Sequence, residues 1–388
     1  MDKGSKIIAD FDASPSRRGG DSYKWNHYAS ASQDVIAAWV ADTDFLAPAP
    51  VIKAVRERLE GDALGYSDTP WELIEVFQER MQRLYGWQVD LASVVPIPGV
   101  VPGLYGAARA AGCPGDGVIA QSSNYPHFFG AAQFSDRELL KLDSRIVTDR
   151  WQMDFEQLEQ LAAGASSFLL CNPHNPLGRV LSREELEKVA DTCLRHDVMI
   201  CSDEIHAELI LDEDKSHIPI AALSPEVADK TITLLSPSKA FNLAGIGGFS
   251  LAVIPNAQLR KDFEQGIHGL ATSPRALVYA AALAAYRDCD DWLAQLLDYL
   301  RANRDLLQKE VAAIEGLSMT HVEATFLAWI DVSGLGLENP FEHFLAHGVA
   351  LSDGAPMGDS HYQRLNFGCT RATLIEILER MKKAVAAV

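Results

Sequence analysis

Three apolar runs, each cut off by polar or Gly/Pro punctuation, organise the middle of this chain. They are Ser167-Phe168-Leu169-Leu170, Val198-Met199-Ile200-Cys201 and Thr231-Ile232-Thr233-Leu234-Leu235. Runs this short, apolar throughout and sharply ended, read as parallel strands buried on both faces. Between about residues 51 and 251 such runs alternate with helical periodicity, the pattern of parallel strands joined by crossover helices. Pro48 and Pro50 open an amphipathic helix over 51–59, closed by Gly61. Ser182 and Glu185 stand at capping-box spacing before another. Residues 277–314 form a long helical stretch with a break near Asp288-Cys289-Asp290. A strand at 326–330 and a last helix over 374–387 complete the tail. The fold expected is α/β: a mainly parallel central sheet with helices on both faces, plus a smaller α+β domain. The boundaries expected are an N-terminal arm (1–50) joining the small domain, a large domain (51–284) and a C-terminal small domain (285–388).

Length and composition narrow the class. A chain of 388 residues suits a large and a small domain. Its 48% apolar and 22% charged residues are ordinary for a globular protein. A net charge of −19 argues against nucleic-acid or anionic-membrane partners, which demand basic surfaces. Six scattered cysteines, with no CxxC pair, indicate neither zinc nor a disulfide framework, so no metal site is expected. No basic segment followed by an apolar run opens the chain, and no stretch approaches the roughly 20 apolar residues of a membrane span. A cytoplasmic enzyme is expected.

The chemistry lies where the strands end. Asn175 follows the first run, Asp203 the second and Lys239 the third. In open α/β sheets ligands gather at the carboxyl ends of strands. Amide, carboxylate and lysine would meet there and suit a pyridine cofactor: the lysine for a Schiff base, the acid for the ring nitrogen, the amide for the ring hydroxyl. A lone lysine is usually a solvated one, but the apolar flanks of Lys239 (Leu234-Leu235 and Ala240-Phe241) disfavour that. Asp203 would serve equally as a helix N-cap. Lys239, 36 residues on, and Asn175, 28 residues back, favour the cofactor. Asn175 sits in a turn whatever else it does, and His206 either shares the ring oxygen or is structural. For a phosphate, Ser236 and Ser238 offer hydroxyls, and the turn at 98–103 leads into a helical run at 104–111 whose free N–H groups favour an anion. Tyr125 is either a stacking ring or a core aromatic. Arg364 either grips a substrate carboxylate or lies on an edge strand. No GxGxxG follows a strand, which disfavours a dinucleotide.

From about residue 10 to 385 the chain resembles the aminotransferase class I/II superfamily of fold-type I pyridoxal 5'-phosphate (PLP) enzymes. It is most similar there to the MalY/PatB branch of cystathionine β-lyase-like C–S lyases. The marks are Trp39-Val-Ala-Asp-Thr-Asp-Phe45, Leu64-Gly-Tyr-Ser67, Pro98-Gly-Val-Val-Pro102, Asn172-Pro-His-Asn-Pro176, Ser202-Asp-Glu-Ile-His206, Ser238-Lys-Ala-Phe-Asn-Leu-Ala-Gly245 and Arg364-Leu-Asn-Phe-Gly-Cys369. The resemblance implies Lys239 as the Schiff-base lysine, Asp203 as partner of the pyridinium, Asn175 at the ring hydroxyl and Tyr125 stacked on the ring. It places Gly99, Val100, Val101, Ser236 and Ser238 at the phosphate, with His206 beside the cofactor. Arg364 and Asp42 fall on the amino-acid substrate. Tyr66 would reach into a neighbour's site, which implies a homodimer. His206 stands where aspartate aminotransferases carry tyrosine, which favours a β-lyase acting on cystathionine or cysteine S-conjugates over the alternative, an aminotransferase. Thr43, Leu177, Glu323-Ala324-Thr325-Phe326 and Met357 depart from the branch pattern in segments expected to face the substrate.

Overall fold

The apolar runs pair into one seven-stranded sheet. The computed structural model describes residues 9–30, 34–60, 65–269 and 273–388. The strands are β1 (Val94–Ile97), β2 (Gly117–Gln121), β3 (Glu138–Leu142), β4 (Ala165–Cys171), β5 (Met199–Asp203), β6 (Thr231–Leu235) and β7 (Ser250–Val253). They lie in the order β1-β7-β6-β5-β4-β2-β3. β2 to β6 run parallel, and β7 runs antiparallel to both β6 and β1. Both faces are covered, which is why the strands read as continuous apolar runs. Phe168, Leu170 and Ile200 pack with Leu186 and Val189 of helix Arg183–Arg195. Leu169, Cys171 and Cys201 pack the other way, with Leu104 of helix Val100–Ala110 and Phe263 of helix Ala257–Ile267.

The chain leaves β2 for β3 on one side and returns to β4 on the other. The loops after β2 and β4 therefore diverge and open a crevice at the strand ends. Tyr125 follows β2, Asn175 follows β4, Asp203 ends β5 and Lys239 follows β6. Pairing of Cys171 with Asp203, and of Asp203 with Leu234, sets these ends level.

Helices begin and end much as their side chains dictate. The capping box is formed, with Ser182 accepting from the Glu185 N–H and Glu185 from that of Ser182. The long C-terminal stretch breaks at Cys289 into helices Ala276–Asp288 and Asp290–Ala312. The first helix spans Ala49–Leu59; Gly61, expected to close it, lies outside the described residues. One start differs from expectation. The helix after the glycine turn begins at Val100, not Leu104, because Pro102 sits in its first turn, where a missing N–H costs nothing.

A second, antiparallel sheet orders β8 (Ser318–Met319), β9 (Leu327–Asp331), β10 (Ser352–Asp353) and β11 (Tyr362–Asn366) as β8-β9-β11-β10. Ile36–Ala37 pairs in parallel with Val349–Ala350 beside it. That pairing carries the segment 38–45 across the strand ends of the central sheet.

Candidate active site

Lys239, Asp203, Asn175, His206, Tyr125, Ser238, Arg364 and Gly99 to Val101 all line one cavity of about 610 Å3. Lys239 is buried, and its amine donates to the carbonyl of Ala41 at 2.6 Å. Burial first, then the nearby Arg364 guanidinium, lowers its pKa from 10.5 to about 8, against the opposing pull of Asp42 and Asp203. Asp203 is 4% exposed. No helix follows it, so it caps none; its carboxyl accepts the Ile205 N–H at 3.1 Å. Burial drives its pKa up to about 7, only partly offset by that bond and by Lys239. The site thus holds a carboxyl that lacks a cation and an amine poised to be neutral.

Arg364 is no edge-strand residue. It sits at the centre of the small sheet, opposite Trp329 on one side and Ser352 on the other. Its guanidinium donates to Asn175 Oδ1 at 3.0 Å, Trp39 O at 2.7 Å and Ser352 Oγ at 3.0 Å, while Nε has no partner among the described residues. Burial lowers its pKa to about 10. It also binds the two sheets together through Asn175. His206 packs edge-on against Phe326 with ring centroids 6.0 Å apart. Its Nδ1 is buried without a partner among the described residues, and desolvation keeps its pKa well below the usual value, so it is neutral.

Three expected residues sit off the cavity wall. Ser236 lies behind Ser238: its hydroxyl donates to Phe249 O at 2.6 Å and accepts the Ser238 N–H at 3.2 Å, which fixes the second serine. Asp42 turns to Arg17 at 2.9 Å and to the buried Lys24 at 3.4 Å, away from the cavity wall. Tyr66 is fully exposed. The departures from the branch pattern also fall elsewhere than expected: Thr43, Leu177, Glu323 and Met357 line no part of this cavity. Leu177 and Met357 pack with Trp151 and Trp329. Glu323 accepts from Arg150 Nε at 2.8 Å and the Val180 N–H at 3.0 Å, clamping the loop that carries Asn175. Leu177 and Met357 thus serve packing, and Glu323 an ion-pair clamp, behind the cavity wall.

Sequence reasoning missed the wall made by backbone. Carbonyls of segment 39–45 accept from two side chains of the cavity, Trp39 O from Arg364 and Ala41 O from Lys239, and from two beyond it, Asp42 O from Asn366 at 2.6 Å and Thr43 O and Phe45 O from Asn242 at 2.9 Å each. No side-chain signal marks a carbonyl. It also missed Glu204 as the brace of β5's end. Glu204 is buried and accepts from Ser202 Oγ at 2.8 Å, His217 Nε2 at 2.7 Å and the Ile220 N–H at 3.2 Å. Glu204 stood in view within Ser-Asp-Glu; His217 gave no hint.

The residues present fit a phosphorylated pyridine. Asp203 awaits a cation, and Lys239 offers a partly neutral amine. The helix N-terminus after Gly99, whose φ of 140° leaves the turn to glycine, aims N–H groups at the cavity with the Ser238 hydroxyl beside it. Gly248 keeps the turn open from behind, since a Cβ there would lie 1.9 Å from Pro98 O.

A doubly wound sheet with a lysine, an acid and an amide at adjacent strand ends defines a class of α/β proteins, and comparison with known proteins makes the family specific. The chain belongs to the aminotransferase class I and II family, whose model matches residues 40–381. It is 35% identical to cystathionine beta-lyase PatB of Bacillus subtilis (strain 168), over 97% of this chain and 100% of that one. The crystal structure of OvoB is similar at a TM-score of 0.94 and 42% identity, covering 98% of this chain and 100% of that one. The structure of cystalysin from Treponema denticola, which contains a pyridoxal 5'-phosphate cofactor, is similar at 0.94 and 30% identity, with 98% and 100% covered. The fold is fold type I, as the resemblance implied.

Proposed function

We propose that this chain is a PLP-dependent carbon–sulfur β-lyase that converts cystathionine or cysteine S-conjugates to pyruvate, ammonia and a thiol by α,β-elimination. The observation that carries the reading is the meeting of Lys239 and Asp203 in one cavity, an amine at about 8 beside a buried carboxyl at about 7. Asp203 would accept the N–H of the protonated ring. The Asn175 amide would meet the ring hydroxyl and Tyr125 would stack on the ring, both being on the cavity wall. Gly99, Val100, Val101 and Ser238 would hold the phosphate, with Ser236 fixing Ser238. When bound, the protonated pyridine supplies the electron sink that lets the α-carbon lose its proton and the carbon–sulfur bond break. Arg364 receives the substrate α-carboxylate through its fork. Lys239 would hold the cofactor aldehyde, and its free amine would take the α-proton as general base; its lowered pKa keeps part of it neutral near pH 7. The likeness to a protein named cystathionine beta-lyase supports thiol release over amino transfer. Incubating the holoenzyme with cystathionine tests this: pyruvate and a thiol are expected, and a keto acid that keeps its side chain would establish the aminotransferase instead.

The same reading assigns a homodimer with shared sites, supported by the full exposure of Tyr66. Mixing Tyr66→Phe with Lys239→Ala protein should restore activity if each site draws Tyr66 from the other subunit. It divides the chain into an arm (1–50), a large domain (51–284) and a small domain (285–388), supported by the pairing of Ile36–Ala37 with Val349–Ala350. A reducing, cytoplasmic setting accords with six cysteines that are all unpaired. No helix among the described residues is long and apolar enough to cross a membrane.

A further inference from the structure

Resting on the lyase reading, we propose that His127 recognises the departing sulfur: it presents an Nε2–H to the leaving group and so determines which thiols this site expels readily. Elimination along the cavity wall leads to it. Lys239, Asp203, Asn175, Ser238 and Arg364 are committed to cofactor or carboxylate, Tyr125 is committed to stacking on the ring, and His206, which is 2% exposed and packed against Phe326, is committed to its place beside the cofactor. Trp39 donates its indole N–H to Lys24 O at 3.0 Å, and the Cys171 thiol is bonded within its own loop. The polar side chains left on the wall are Tyr23, which is 65% exposed, and the half-buried His127.

His127 is also held in one orientation. Its ring lies 4.9 Å from that of Tyr125, the stacking residue, and its Nδ1 lies 3.4 Å from the Tyr105 hydroxyl. In this proposal that hydroxyl is the donor to Nδ1, which puts the single proton of a neutral imidazole on Nε2. Burial lowers the imidazole pKa below its usual value, so the neutral form prevails at pH 7. Among the described residues none bonds Nε2, and among those lining the cavity Asp203 is the only carboxylate. The far wall therefore offers a substrate a hydrogen-bond donor and no acid.

In the elimination, the electron pair of the carbon–sulfur bond leaves with sulfur, and the thiolate takes its proton from water afterwards. Charge develops on sulfur only as the bond breaks, so a fixed donor there favours the transition state over the bound substrate. The benefit grows with the basicity of the thiolate. The substrate class this site takes is thus conjugates of weakly acidic alkyl thiols, which leave poorly unaided.

Two conjugates of similar size test this on the holoenzyme, S-benzyl-L-cysteine (an alkyl thiol departs) and S-phenyl-L-cysteine (an acidic aryl thiol departs). His127→Phe should lower kcat/KM about tenfold for the first and leave the second within about twofold, the worth of one hydrogen bond. His127→Asn, which keeps an N–H, should recover most of the loss. Equal losses for both conjugates, or none, overturn the proposal while leaving the lyase intact. Wild-type enzyme that frees thiol from neither overturns the lyase reading and this with it. Independently, nitrogen NMR of the cofactor-free protein should show the Nε2–H tautomer at His127, lost to a mixture in Tyr105→Phe; an Nδ1–H tautomer in the wild type refutes the assignment.

Discussion

Lys239 is burdensome to the folded protein when no cofactor neutralises it, and that burden is measurable. The free amine titrates near 10.5 but near 8 in the fold. At about 1.4 kcal/mol per tenfold, keeping the ammonium buried below pH 8 costs the folded state about 3 kcal/mol. Lys239→Met removes the charge and keeps the length. It also strips the Ala41 carbonyl of its donor, a loss of about 1 kcal/mol. The cofactor-free variant should therefore be more stable than the wild type by about 2 kcal/mol at neutral pH. The sign follows from the protons. Below pH 8 the lysine is charged in both states and the whole penalty is present. Between 8 and 10.5 the folded state binds fewer protons than the unfolded, so wild-type stability rises with pH. Above 10.5 both are neutral and the penalty is gone. Urea unfolding of both cofactor-free proteins at equal concentration is the assay, and the advantage of the variant should fall to near zero at about pH 9.5. A variant less stable at neutral pH, or an advantage indifferent to pH, would refute the claim that Lys239 is a desolvated cation.

Asp203→Asn inverts that dependence. The folded carboxyl, at about 7 rather than 3.8, is a penalty fully present above pH 7 and absent below 3.8, so the cofactor-free variant should gain stability at alkaline pH and lose that gain on acidification. The loaded variant should lose at least about 100-fold in kcat, since nothing then keeps the ring nitrogen protonated; unchanged turnover would remove Asp203 from the site. Gly248→Ala forces a Cβ to within 1.9 Å of Pro98 O, so the phosphate turn must shift. A stability loss of about 2 kcal/mol and weaker cofactor retention should appear in thermal melts and gel filtration. Arg364→Lys loses the fork that now spans Asn175, Trp39 and Ser352, and KM should rise about 100-fold, with a smaller change in kcat; an unaltered KM would place the substrate carboxylate elsewhere.

The trio Asn175, Asp203 and Lys239 was legible because strand ends are legible: a buried parallel strand must be apolar on both faces, so its last residue announces itself when a polar group appears. The capping box at Ser182 and the break at Cys289 were equally local and equally readable. The antiparallel turn of β7 was not, since a short buried strand looks alike in either direction. Nor was the start of the helix at Val100, expected at Leu104 after the turn, because Pro102 proved to be a first-turn residue.

Local chemistry along the chain therefore decided which residue types this protein brings to its strand ends, and with them the fold class and the kind of cofactor that fits. Tertiary structure alone decided what surrounds them. Segment 39–45 turns its carbonyls to Lys239, Arg364, Asn366 and Asn242 only because Ile36–Ala37 pairs with Val349–Ala350, some 300 residues away. It placed Leu177 and Met357 in an apolar cluster, Glu323 in ion pairs and Thr43 off the cavity wall, and His127 on that wall instead. The physical reason is that a side chain's pKa, partners and exposure are properties of the groups around it, and those arrive from distant parts of the sequence by folding.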